Sequence, residues 1–385
     1  MTELIYLDHN STTPTHPAVM EAMLPFFSDL YGNPSSVYKL ARKSREAMDE
    51  ARKSVANLLG ASPEEIIFTS GGTESDNLAI KGVAYAAREK GNHIITSQIE
   101  HHAVLNCCKA LEKDGFEVSY IGVDKFGIID LDELKEAVKD DTILITIMHA
   151  NNETGVIEPL QDIAKIAREK GVPLHTDAIQ TVGKMPVDVN DPGLDLLSLS
   201  GHKIYGPKGI GALYLRKGTK IARLVDGGHH EKNRRPGTEN VPGIVGLGKA
   251  CEIATQKEQG GEAEMKRLRD KLQQGIVEKV PDVIINGHPE KRLTNTINLC
   301  VKFVEGESIL LHLDAMGIAA SSGSACTSDS LEASHVLKAM GVPVEVAHGS
   351  IRFSLGRDNT EEEIDRVLEV FPGIVEKLRT MSPLR

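Results

Sequence analysis

A chain of 385 residues exceeds one core of ordinary size and predicts roughly two domains, while 40 % apolar and 26 % charged residues exclude a disordered or fibrous protein. With 44 Lys plus Arg against 55 Asp plus Glu, the net charge of −11 argues against a nucleic-acid surface, which needs clustered cations. The first residues carry no basic leader and no run of about 18 apolar residues occurs, so no membrane partner is expected and the cytoplasm is the expected compartment.

From about residue 64 short β-rich runs alternate with helical stretches. Ile66 to Thr69 precedes a helix opening near Thr73, and His93 to Thr96 precedes one near His102. This is the rhythm of a mainly parallel sheet. Further strands are predicted at Glu117 to Ile121, Thr142 to Met148, Pro173 to Thr176, Leu194 to Leu199 and Gly211 to Leu215, several apolar throughout, as strands covered on both faces are. The charged segment Glu252 to Lys279 predicts one long amphipathic helix leaving this α/β region at about residue 255. Beyond it, strands at Asn295 to Val301, Ile318 to Ala320 and Ser350 to Ser354, with a helix from Glu361 to Leu378 started by Asn359-Thr360, predict a smaller α+β region.

Three segments carry candidate chemistry. Phe68 to Asn77 runs from a strand through Gly71-Gly72-Thr73 into a helix, whose free N–H groups suit a phosphate. Val172 to Gln180 ends a strand with Asp177, suited to holding a pyridine nitrogen protonated, and Gln180, suited to a phenolate oxygen. Asp195 to Gly209 leads a strand into a polar turn with Ser200, His202 and Lys203, a lysine able to form a Schiff base. Taken singly, each segment suits an ordinary turn, helix cap or cationic loop about as well.

Five cysteines lack the spacing of a disulfide framework or zinc site, and reduced thiols are expected. Cys107, Cys108, Cys251 and Cys300 sit among apolar neighbours, as buried inert thiols do. Cys326 lies in a run of small residues, Ala319 to Ser330, predicting an exposed loop; by composition a bland linker is equally possible.

The order of these pieces resembles the cysteine desulfurases of the NifS/IscS type, among the fold-type I PLP-dependent transferases. The match extends over Tyr6 to Asp8, Tyr31 to Ser36, Thr69 to Asn77, Glu100-His101, Asn151 to Gly155, His175 to Gln180, Ser198 to Gly209, Arg235 to Asn240 and Ser321 to Ser328. The resemblance implies a large domain at residues 16–255 with a mainly parallel seven-stranded sheet. It implies a small α+β C-terminal domain at 256–385 carrying the cysteine loop, joined by residues 1–15. It implies pyridoxal 5′-phosphate as cofactor, bound to Lys203, with the phosphate cradled by Gly72, Thr73, Ser200 and His202. Asp177 then pairs with the pyridine nitrogen, His101 stacks on the ring, and Asn152 and Gln180 lie beside its phenolate oxygen. Thr238 reaches the phosphate of the other subunit, so a homodimer is implied.

Asn33 and Arg352 are the implied substrate residues, Arg352 as the clamp for the carboxylate of L-cysteine. Cys326 is the implied nucleophile that accepts sulfur as a persulfide, with His101 as acid or base. No metal site is implied, beyond Cys326 as a transient iron–sulfur ligand. Iron–sulfur scaffold assembly, thiolation of tRNA or another carrier route all accept the same persulfide. Rival readings are a selenocysteine lyase, another PLP lyase or aminotransferase, and a non-catalytic sulfur-assembly protein. Tyr38, Ala41 and the Gly227 to Arg235 run depart from the family pattern near the site mouth.

Overall fold

Apolar residues that alternate along short strands bury one set on each face of a sheet, and the central sheet of this protein is built that way. A computed structural model describes residues 4–256, 261–322 and 333–382. The strands, in chain order, are β1 (Ile5–Tyr6), β2 (Ile66–Thr69), β3 (His93–Ser97), β4 (Glu117–Ile121), β5 (Thr142–Thr146) and β6 (Leu174–Asp177). They continue as β7 (Leu196–Ser200), β8 (Gly211–Leu215), β9 (Val283–Asn286), β10 (Thr296–Val301), β11 (Ile318–Ala319) and β12 (Ser350–Ser354).

Seven strands form the main sheet in the order β2-β8-β7-β6-β5-β3-β4, parallel except for β8, which runs against both neighbours. One face buries Phe68, Ile95, Ile145, Leu174, Leu197, Leu199 and Tyr214, and the other buries Ile67, Ile94, Leu144, Leu196, Leu213 and Leu215. Helix Gly72–Ala87 covers the second face with Leu78, Ala79, Ile80, Val83 and Ala84. Strand alternation puts Thr146, His175, Asp177, Ser198 and Ser200 on the face under this helix, because Ile145, Leu174, Leu197 and Leu199 point to the other.

A second core surrounds the antiparallel sheet β12-β10-β9 and helices Gly261–Lys279, Gly306–Ala315 and Glu361–Met381. Helix Glu361–Met381 opens with a capping box between Thr360 and Glu363, as its acidic start leads one to expect. The N-terminal β1 pairs in parallel with β11, so Ile5 and Leu7 belong to this second core.

Two expectations change. The single helix expected from Glu252 to Lys279 is two: Val241–Thr255, which is apolar and has Pro242 in its first turn, and Gly261–Lys279. Gly260 and Gly261 lower helix propensity at the junction. β1 and β9 were too short or too mixed in pattern to be expected. No helix among the described residues is long and apolar enough to cross a membrane.

Candidate active site

The C-terminal ends of β2, β6 and β7 lie at one edge of the sheet, the position where open α/β sheets bind ligands. β8 separates β2 from β7, yet the turn leaving β2 reaches Ser200, and Gly211 makes this possible. A Cβ at Gly211 would stand 2.8 Å from the Gly71 Cα and 2.6 Å from the Leu199 carbonyl oxygen. Gly72 is the first residue of its helix, so its N–H has no partner within the helix's own ladder. A Cβ there would fall 2.1 Å from Ile179 Cδ1 and 3.7 Å from Ser200 Cβ. Gly72 and Ser200 are buried, whereas Thr73 is exposed at the same helix start.

Lys203 ends the short 3-10 turn Gly201–Lys203 that follows β7. Its amine donates to the carbonyl oxygens of Asn10 at 2.5 Å and Ser11 at 2.8 Å. His202 contacts the same N-terminal segment, with Nδ1 3.1 Å from Thr12 Oγ1. The turn then passes through Tyr205 at φ 62°, a left-handed conformation that costs a non-glycine residue energy and recurs at functional sites.

Asp177 ends β6 and is 4 % exposed; its Oδ1 accepts the Ile179 N–H at 2.9 Å. Burial raises its carboxyl to about 6, against the lowering effects of that N–H and of Lys203. Gln180 Nε2 donates to the Asn10 carbonyl at 2.9 Å, and Gln180 Oε1 accepts Lys184 Nζ at 2.6 Å. His101 caps helix His102–Lys113, its Nδ1 accepting the Ala103 N–H at 3.1 Å. Burial, reinforced by the positive charge of Lys203, pulls His101 down to about 4, so the ring is neutral at pH 7.

Arg352, on β12, is 3 % exposed. It donates to the Asn152 carbonyl at 2.9 Å, to Asp8 Oδ1 at 2.8 Å and to Ser11 Oγ at 2.7 Å, while its buried Nε has no partner among the described residues. The N-terminal segment therefore ties together Lys203, Gln180, Arg352 and the Asn152 carbonyl. Asn33 and Thr238 are different: both are exposed, Asn33 accepting the Ser35 N–H at 2.9 Å. Cys326 lies outside the described residues. The other four cysteines are buried, and burial pushes Cys107 and Cys251 up to about 12 and Cys300 up to about 11, leaving them thiols.

Residues 5–367 match the family described as aminotransferase class-V. The chain belongs to that family. A relative from Methanosarcina thermophila named cysteine desulfurase IscS is 57 % identical over 380 residues, covering 99 % of this chain and 94 % of that protein. A solved structure named NifS-like protein superposes with a TM-score of 0.92 at 40 % identity, over 97 % of this chain and 100 % of the other. Another, titled SspA in complex with cysteine, gives 0.83 at 39 % identity, over 92 % and 100 %.

In this class-V chain the structure adds residues that sequence reasoning passed over. Asn10 is 1 % exposed, and besides its carbonyl contacts its side chain meets Thr296 Oγ1 at 2.9 Å and Lys184 Nζ at 3.0 Å. The signal was the unbroken polar run Asp8 to Thr13 directly after the buried Leu7. Asp76, buried in helix Gly72–Ala87, was quoted only as part of a motif.

Proposed function

We propose that this protein is a cysteine desulfurase, converting L-cysteine to L-alanine and carrying the released sulfur as a persulfide on Cys326 toward iron–sulfur assembly or tRNA thiolation. The observation that carries this reading is a lysine amine and a buried carboxylate, Lys203 and Asp177, at the ends of adjacent parallel strands beside a glycine-rich helix start. The names of the relatives give the reaction its direction.

We infer that the resident cofactor is pyridoxal 5′-phosphate, and the donor set fits it. The helix start at Gly72 with Ser200 and His202 suits a phosphate dianion, and only a glycine leaves room beside Ile179. Asp177 suits a protonated ring nitrogen, Gln180 and Asn152 suit the phenolate side, and neutral His101 suits stacking. When bound, this cofactor supplies an electron sink for charge developing at the substrate Cα.

The protein's own groups do the rest. Arg352 binds the substrate carboxylate through its free Nε, with Asn33 at the mouth. The Lys203 amine accepts the Cα proton, and the paired carbonyls of Asn10 and Ser11 orient it. His101, neutral at pH 7, accepts a thiol proton at Nε2, since its Nδ1 already accepts from Ala103. Cys326, as thiolate, attacks the substrate sulfur: one S–S bond forms as the Cβ–S bond breaks, and reprotonation releases alanine. The burial of the other four cysteines supports this choice of thiol.

We further infer a homodimer in which exposed Thr238 reaches the partner's phosphate site, a division into domains at 16–255 and 256–385 with residues 1–15 joining the latter, and action in the cytoplasm, where free thiols persist. The test is incubation with L-cysteine while alanine and sulfur on Cys326 are measured. Cys326→Ser is expected to keep bound cofactor and lose alanine formation by at least ~100-fold, the scale of a missing nucleophile. Unchanged turnover in that variant refutes the assignment.

A further inference from the structure

Helix Gly72–Ala87 carries one ionisable group onto the sheet face it covers. Asp76 is 0 % exposed, and neither of its carboxyl oxygens has a hydrogen-bond partner among the described residues. Behind Asp177 on the same face stand His175 and Ser198. His175 is wedged between Thr146 Oγ1, 2.8 Å from Nδ1, and Ser198 Oγ, 3.0 Å from Nε2.

We propose that Asp76 is a positioning residue for this site: a buried carboxylic acid that keeps its proton and so fixes the single negative charge of two neighbouring carboxyls on Asp177, where a ring nitrogen needs it. This deepens the cofactor reading above and rests on it.

An ionised carboxylate at Asp76 would have no counter-charge. The nearest basic atom, His175 Nε2, is 3.8 Å away, beyond hydrogen-bond reach, and burial holds that imidazole neutral down to about pH 3. The acids facing Asp76 are Asp177, from the end of β6, and Glu100, from the segment before helix His102–Lys113; both repel a charge there, and Cys107 is a neutral thiol. Only the Ser198 hydroxyl favours the anion. Burial and the Asp177 charge together push the Asp76 carboxyl well above the usual range. Two carboxyls in one dry site share one charge, and the better-solvated group takes it. Asp177 is that group, having the Ile179 N–H at 2.9 Å and the Lys203 charge nearby. Were Asp76 the anion, Asp177 would hold the proton instead and cease to pair with a protonated nitrogen.

Infrared spectroscopy of the holoprotein in heavy water near pH 8, in the carbonyl-stretch region of protonated acids, tests this directly. The wild-type protein is expected to show an acid band that Asp76→Asn lacks. Asp76→Asn, neutral at every pH, is expected to hold PLP within about threefold of wild type, because no charge has been removed. Loss of PLP affinity beyond about tenfold in Asp76→Asn, or the absence of a band lost on substitution, overturns the proposal. Should Asp76→Asn not fold, carboxyl-carbon NMR of wild-type protein labelled at aspartate decides alone: one aspartate protonated near pH 8 is expected, and a fully ionised set overturns it. Failure of the parent reading is separately visible, as wild-type protein with no PLP absorbance.

Discussion

The Lys203 amine and the Asn10 carbonyl meet at 2.5 Å across 193 residues of chain, and the same carbonyl accepts Gln180. The amine is thus aimed by backbone oxygens, which cannot be altered by changing the side chain of Asn10 alone.

On the proposed function, Lys203→Ala removes both the covalent anchor and the proton acceptor. PLP should no longer be retained through gel filtration, and alanine formation should fall by at least ~10³-fold, the middle of the range for a lost general base. Loss of the visible cofactor band after gel filtration would agree; a protein-bound band reducible by borohydride would contradict the anchor.

Gly72→Ala tests the cradle. The added methyl must displace Ile179 Cδ1, which it would otherwise meet at 2.1 Å, at a cost of about 1 kcal/mol if Ile179 leaves its rotamer. PLP affinity is expected to drop roughly fivefold to tenfold, as that energy converts. Adding Ile179→Val, which deletes Cδ1, should restore most of the loss in a fluorescence titration; no recovery would assign the defect to the helix start instead.

Arg352→Lys keeps the charge but loses the planar fork. Asp8, Ser11 and Asn152 would compete for one ammonium where two guanidinium nitrogens now divide the work and leave Nε over. KM for L-cysteine should rise by at least ~10-fold with the cofactor spectrum unchanged. Steady-state kinetics with an unaltered KM would remove Arg352 from the substrate site.

Stability should fall as pH rises above neutrality. Burial lifts Glu153 to about 7 and Glu100 and Glu158 to about 8, from an ordinary 4.5. A raised native value means that the folded state holds the proton more tightly than the unfolded chain, so this contribution is complete below pH 4.5 and lost as pH rises to 8. The buried His101, His149 and His175, lowered to about 4, 4 and 3, act oppositely, but only below their ordinary 6.5. Between pH 6.5 and 8 the carboxyls act alone, and calorimetry of the cofactor-free protein should find Tm decreasing. Glu158→Gln should flatten that slope; an unchanged slope would show that Glu158 does not titrate there.

The parallel sheet was legible because its strands are apolar on both faces and separated by helical periodicity, as at His93 to Ser97 and Thr142 to Thr146. The site's strand-end residues were legible for a related reason: Asp177 and Ser200 interrupt apolar runs with polarity that only a ligand or a turn justifies. Asn10 was not, because its role lies in a backbone carbonyl, and every residue type has one. Asp76 was hidden inside a helix start where acids are ordinary, and its strangeness, burial without a partner, exists only in three dimensions. The split near Gly260 was written in the glycines but masked by the strong charge pattern around them.

The parallel pair of β1 with β11 bears on how the molecule is made. Ile5 finds its partner Ile318 more than three hundred positions later, and Asn10 awaits Thr296 and Ser354. While the chain leaves the ribosome, the seven-stranded sheet has all its strands once Leu215 has emerged, but β1 stays unpaired until β11 follows. A nascent or C-terminally truncated chain would therefore hold a folded sheet whose opening strand is unpaired, and Ile5 and Leu7 reach their core only when synthesis is nearly finished.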